Sequence, residues 1–141
     1  MPAFEIMLDP HGEPQLIELP TIPDKRGSLT FAERESPLPF RPRRSYWVHG
    51  IPVGCERGGH AHQATHEAII AVAGSFRLRL SNQAGVERSW HLGSPTQALY
   101  VPPMWWRVID EYSEGAVCLV MASLAYDEAD YIRRSEDFFT G

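Results

Sequence analysis

Apolar and polar residues alternate along much of this chain with the two-residue period of a β-strand. The clearest case is Phe76-Arg77-Leu78-Arg79-Leu80, which puts the apolar side chains on one face and both arginines on the other. Arg44-Ser45-Tyr46-Trp47-Val48 is rich in strand formers, with Arg44, Tyr46 and Val48 sharing a face. Glu67 to Ala73 and Ala116 to Leu124 read as apolar, buried strands. Shorter candidates are Leu16 to Leu19, Ser28 to Glu33, Val86 to Leu92 and Leu99 to Val101. Between them lie turn signals: Pro23-Asp24-Lys25-Arg26-Gly27, the Gly-rich Gly54 to Gly59, Gly74-Ser75, Asn82-Gln83-Ala84-Gly85 and Pro102-Pro103. Only the tail, Asp127 to Phe139, has helical spacing. The pattern predicts one all-β domain over 1–141, a sandwich or barrel of short strands with a short C-terminal helix.

Composition agrees with that picture and narrows the function classes. A chain of 141 residues, 43% hydrophobic and 22% charged, is an ordinary globular domain with one core. The net charge of −5, with both signs mixed along the chain, argues against a basic nucleic-acid-binding face. No basic, apolar leader stands in Met1 to Pro10, and no run is long enough to span a membrane, so a cytoplasmic protein is expected. Cys55 and Cys118 lie far apart and read as two free thiols.

The chemistry concentrates in Gly54-Cys55-Glu56-Arg57-Gly58-Gly59-His60-Ala61-His62-Gln63-Ala64-Thr65-His66-Glu67. Its spacing is Gly, five residues, His-x-His, four residues, Glu and, six residues on, Gly74, which matches the first cupin motif at every position. On a strand His60 and His62 point the same way, so with Glu67 they can converge in a barrel interior. Three readings follow. The histidines are structural, or they bind a divalent transition metal with Glu67, or they act as acid and base without one. The second cupin motif normally supplies another histidine; here Pro102-Pro103-Met104-Trp105-Trp106-Arg107 has methionine at the usual glycine and Arg107 at the ligand position. A guanidinium is always charged and cannot ligate a cation, although three ligands suffice in some catalytic sites. It suits an enolate or a phosphate instead.

Further stretches resemble one family, the cupin sugar 3,4-ketoisomerases (WxcM-like), from about Asp24 to the C-terminus. They are Arg26-Gly27-Ser28-Leu29, Arg44-Ser45-Tyr46-Trp47, Arg57-Gly58-Gly59-His60-Ala61-His62, Gly74-Ser75-Phe76-Arg77, Leu99-Tyr100-Val101 and Tyr126-Asp127-Glu128-Ala129-Asp130-Tyr131-Ile132-Arg133. The resemblance implies a cupin jelly-roll β-barrel and a homodimer with exchanged N-terminal strands. It also implies metal-independent, cofactor-free isomerisation of a dTDP-linked 4-keto-6-deoxyglucose to its 3-keto isomer. His60 and His62 match the family's catalytic histidines, Arg57 its active-site arginine and Tyr46 the tyrosine of the preceding strand. Two positions depart from the family: Gln63 replaces the usual lysine and Arg107 the usual histidine.

The expected division of labour has His62 shuttling the proton from C3 to C4, His60 supporting it, and Tyr46 bonding or relaying at the oxyanion. Arg44, Arg57 and Arg77 are candidates for the pyrophosphate. Arg26 and Arg107 are further substrate-binding candidates, and Glu67 is expected to orient a histidine. Trp47, Trp105 and Trp106 could stack on a base, but tryptophans in a small barrel more often pack in the core. A metal-dependent cupin enzyme, a non-catalytic sugar-nucleotide-binding cupin and an epimerase of the same sugars are the competing functions.

Overall fold

The computed structural model describes residues 12–34 and 37–139; the stretch Met1 to Pro10, in which no leader is expected, lies outside them. Its strands begin with β1 (Gln15–Glu18), β2 (Thr21–Ile22), β3 (Leu29–Thr30), β4 (Glu33–Arg34), β5 (Pro37–Leu38) and β6 (Arg44–Val48). They continue with β7 (Arg57–His62), β8 (Glu67–Ala73), β9 (Phe76–Ser81), β10 (Glu87–Leu92), β11 (Gln97–Val101), β12 (Trp106–Asp110), β13 (Val117–Ala122) and β14 (Tyr131–Ile132). One α-helix, α1 (Ser135–Phe139), closes the described chain.

Two five-stranded sheets face each other, in the orders β1-β11-β8-β13-β6 and β10-β9-β12-β7-β14. All pairings within them are antiparallel. Alternation sets what fills the space between. From the first sheet come Ile69, Ala71, Leu99, Val101, Cys118 and Val120; from the second come Phe76, Leu78, Leu80, Leu92 and Ile109. Together they bury one continuous core, the arrangement of a cupin jelly roll. Trp105 joins that core, whereas Trp106 faces outward and packs on Phe138 and Phe139 of α1. Trp47 stands exposed on the outer face of the first sheet.

Three features differ from the sequence pattern. Strand β12 was hidden because its start, next to Pro102-Pro103, reads as a turn, and because Arg107 occupies an inward position where a strand pattern expects an apolar residue. The run Ser28 to Glu33 divides into β3, which pairs with β2, and β4, which pairs with β5. The tail is not one helix. Asp127 caps a single 3₁₀ turn over Glu128–Asp130, accepting from the Ala129 N–H, and β14 then adds to the edge of β7. Ladder pairing overrides the helical spacing there, and α1 begins only at Ser135.

Candidate active site

Strand β7 carries the histidines, and a bulge in its pairing with β12 aims them. His60 stands opposite Arg107 but Gly58 stands opposite Val108, so Gly59 is the extra residue. Gly58 and Gly59 have φ of 94° and 70°, which side-chain-bearing residues rarely adopt. A Cβ on Gly58 would lie 2.9 Å from the Arg107 carbonyl oxygen. The Gly-Gly pair is therefore what lets β7 press against β12 while His60 and His62 turn inward. A second backbone irregularity supports them from the far end: Met104 holds φ at 66° while its N–H donates to the His62 carbonyl at 2.8 Å. This is the position where the cupin motif usually has glycine.

At the centre, Arg107 and Glu67 form a buried ion pair between Nη1 and Oε1, with side chains 2% and 0% exposed. Glu67 Oε2 accepts from the Tyr46 hydroxyl at 3.1 Å and lies 3.4 Å from His62 Nε2. His62 is itself fully buried, and its Nδ1 lies 2.9 Å from Asp130 Oδ2. Asp130 is held in turn by the Thr65 hydroxyl at 2.5 Å and the Ala64 N–H at 2.7 Å. The ring of Tyr131, opposite His62 on β14, packs against both histidines, with centroids 5.1 Å from His60 and 4.4 Å from His62.

A cavity of about 90 Å³ lies between the sheets, walled by Tyr46, Arg57, His60, Glu67, Arg107 and the apolar Val48, Ile69, Ile109 and Val120. It shares Tyr46, Arg57, Gly58 and His60 with an outer groove of about 290 Å³ that adds Arg44, Tyr131 and Arg133. His60 is the histidine on both walls; His62 is on neither. The geometry thus favours the reverse of the expected division of labour, with His60 facing the space a substrate can enter and His62 behind it.

Electrostatics sort the groups. Burial, then the Arg107 charge, push His60 down to about 3, so its imidazole is neutral; its buried Nε2 has no hydrogen-bond partner among the described residues. Burial opposes ionisation of Glu67, but the Arg107 charge and His62 outweigh it and hold the carboxyl down at about 2. Burial and the Glu67 carboxylate raise the Tyr46 phenol well above its ordinary value, so it stays a donor. Cys118, which also lines the cavity, is pushed up to about 12 by burial and is an inert thiol. Arg107 fills the place of a fourth ligand with a fixed charge and occupies the Glu67 carboxylate. Its buried Nε and Nη2 have no hydrogen-bond partner among the described residues and can donate to an incoming oxygen.

The remaining candidates divide between groove and periphery. Arg44 and Arg57 line the groove; the Arg44 guanidinium stacks over Tyr46 at 5.1 Å and reaches the Tyr131 hydroxyl at 3.4 Å. Arg77 does not belong to the site. Burial of Phe76, Leu78 and Leu80 turns it to the outer face of β9, where Asp110 holds it by two bonds of 2.9 Å. Arg26 sits in the exposed turn before β3, paired with Asp24, and lines neither cavity. Thr65, Asp130, Tyr131 and Arg133 also belong to the surroundings of the histidines, with no site role expected from the sequence. The signal was present in the dense Tyr-Asp-Glu-Ala-Asp-Tyr-Ile-Arg run, but its helical spacing concealed a strand edge facing the histidines.

The model of the FdtA family, described as WxcM-like, C-terminal, matches residues 12–141. The chain belongs to the FdtA, WxcM-like family. A curated relative is the TDP-4-oxo-6-deoxy-alpha-D-glucose-3,4-oxoisomerase of Aneurinibacillus thermoaerophilus. That protein is 34% identical over 126 residues, covering 89% of this chain and 90% of its own. A variant of the QdtA 3,4-ketoisomerase from Thermoanaerobacterium thermosaccharolyticum, solved with TDP-4-keto-6-deoxyglucose, superposes with a TM-score of 0.86. Identity is 35%, over 90% of this chain and 91% of that one. A 3,4-ketoisomerase from Helicobacter canadensis superposes with a TM-score of 0.87 at 31% identity, over 92% and 97% of the two chains. The fold is shared with these 3,4-ketoisomerase structures.

Proposed function

We propose that this FdtA-family chain is a sugar-nucleotide 3,4-ketoisomerase, converting TDP-4-keto-6-deoxyglucose to its 3-keto isomer with His60 as the base. The observation that carries the reading is the cavity wall, where a neutral imidazole with a free nitrogen sits beside unpartnered guanidinium donors and a phenol. An imidazole of that kind can take the C3 proton of the sugar, which is acidified by the C4 carbonyl. The electron pair moves into a C3–C4 double bond, and the C4 oxygen becomes an enolate oxygen that Arg107 and Tyr46 can stabilise. His60 returns the proton to C4 while the C3 hydroxyl gives up its own proton and becomes the new ketone. The C4 oxygen gains one, so protons balance and no redox partner is needed. His62 acts as the support behind His60.

The nucleotide end has a matching receptor. Arg44, Arg57 and Arg133 line the outer groove next to His60, and guanidinium groups there suit a diphosphate. A homodimer is part of the proposal. The outer face of the first sheet carries an apolar hollow of about 410 Å³ whose walls include Leu19, Phe31, Ile70, Val72, Leu119 and Met121, with no titratable group among the described residues that line it. Exposed Trp47 extends that face, and such patches mark protein contacts. The strand exchange implied by resemblance falls in part on residues 1–11, outside those described; β1 pairs here with β11 of its own chain.

The test is direct incubation with TDP-4-keto-6-deoxyglucose, with the product read by NMR in the presence of a strong chelator. The 3-keto isomer is expected. Unchanged substrate, or a product that keeps its 4-keto group with one carbon inverted, would overturn the reading. Activity lost to chelator and restored by a divalent metal would overturn the metal-free mechanism.

A further inference from the structure

We infer that Asp130 is a positioning residue for the isomerisation: it holds His62 by Nδ1 in one ring orientation, and through that ring keeps His60 and Glu67 placed at the cavity wall. The inference rests on the ketoisomerase reading for its kinetic consequence, though the contact itself is independent of it.

The Asp130 carboxylate is saturated by donors from one short stretch of chain. Oδ1 accepts from the Ala64 N–H, and Oδ2 faces both the Thr65 hydroxyl and His62 Nδ1. Burial raises the carboxyl, but Thr65, His62 and Ala64 outweigh it, and Asp130 titrates below its ordinary value. An ionised carboxylate has only acceptors, so the His62 nitrogen facing it must carry the proton. That fixes the Nδ1 edge of the ring towards Asp130 and the Nε2 edge towards Glu67.

The consequence reaches the wall through two contacts. The His62 ring stands edge-on to His60, centroids 5.0 Å apart and planes at 88°, so a rotated His62 would strike or release the base. Its Nε2 lies 3.4 Å from the Glu67 oxygen that also accepts from Tyr46. Asp130 touches neither cavity nor groove, so it acts only through these neighbours. The 3₁₀ turn explains how it arrives there: the turn ends at Asp130, and β14 starts at the next residue with Tyr131 against both histidines.

Asp130→Asn tests this with little change of volume. An amide has one acceptor oxygen and one donor nitrogen, so the Ala64, Thr65 and His62 donors cannot all be satisfied. With misplacement on the ångström scale, kcat should fall roughly 100-fold, while KM and TDP affinity stay within about threefold. In ¹⁵N-histidine spectra the hydrogen-bonded His62 Nδ1–H signal of the native enzyme should shift or vanish. A second pair of variants works through Thr65. Thr65→Ser keeps the hydroxyl and should retain native kcat, and Thr65→Val should lower it roughly tenfold, the equivalent of about 1.4 kcal/mol. Native kcat in Asp130→Asn, an unchanged Nδ1–H signal, or parallel loss of TDP binding and melting temperature would each overturn the inference. So would equal activity of Thr65→Ser and Thr65→Val. If the native enzyme itself leaves the 4-keto sugar untouched, the isomerase reading falls. The Nδ1–H comparison then still decides whether Asp130 orients His62.

Discussion

Removing the Arg107 guanidinium should expose how the site is paid for in stability. In Arg107→Met the side chain keeps its length but leaves the Glu67 carboxylate, which is fully buried, without its countercharge. Breaking a buried pair from one side typically costs about 3–5 kcal/mol. Glu67 keeps the Tyr46 hydroxyl and the nearby His62 ring, so the low end applies, about 3 kcal/mol. For a domain of this size that corresponds to a fall in melting temperature of roughly 10 °C. The double variant Glu67→Gln/Arg107→Met, which removes both charges, should recover most of the loss, and the recovered part measures the coupling. Urea unfolding of the native protein, Glu67→Gln, Arg107→Met and the double variant at neutral pH gives the cycle. A pH series adds a second readout. Glu67 is held at about 2, below its unfolded value of 4.5, so it stabilises the fold above pH 4.5. That contribution is lost as pH falls from 4.5 to 2. Without Arg107 the Glu67 pKa rises and the window narrows. If Arg107→Met costs less than about 1 kcal/mol, the pair is solvated and the dry site described above is wrong.

Further outcomes follow from single features of the fold. Met104→Gly should relieve the positive φ at the turn behind His62 and stabilise the protein by about 1 kcal/mol, seen as a higher melting temperature. Gly58→Ala adds both a strained φ and a contact with the Arg107 carbonyl; about 2 kcal/mol of stability and a large part of kcat should go together. His60 is held at about 3, so in a profile of kcat/KM against pH the limb for protonating the base should lie well below the ordinary imidazole range. A limb near 6.5 would mean that a solvated histidine is the base.

The strand pattern carried most of the architecture. Arg44–Val48, Glu67–Ala73 and Phe76–Leu80 occur as strands because alternation or continuous apolarity leaves them few other ways to bury a face. The cupin spacing likewise placed His60, His62 and Glu67 together, since strand period and bulge geometry are written in the glycines. What could not be read was depth. His60 and His62 are equivalent in a pattern of period two, and only the packing of β14 against β7 buries one and leaves the other on the cavity. Arg107 was legible as a residue unfit for metal, but its pairing with Glu67 is a contact between sheets, which no local pattern encodes. Arg77 misled for the converse reason: residue type suggested phosphate, whereas its own strand's alternation already turned it outward.

Turnover by His60→Asn tests the central claim most directly. Loss of a general base typically removes about 10²- to 10⁴-fold of rate, so kcat on TDP-4-keto-6-deoxyglucose should drop at least 100-fold, with TDP binding and melting temperature close to native. Retention of activity within tenfold of native, with the 3-keto product still forming, would show that the base is another group and contradict the account.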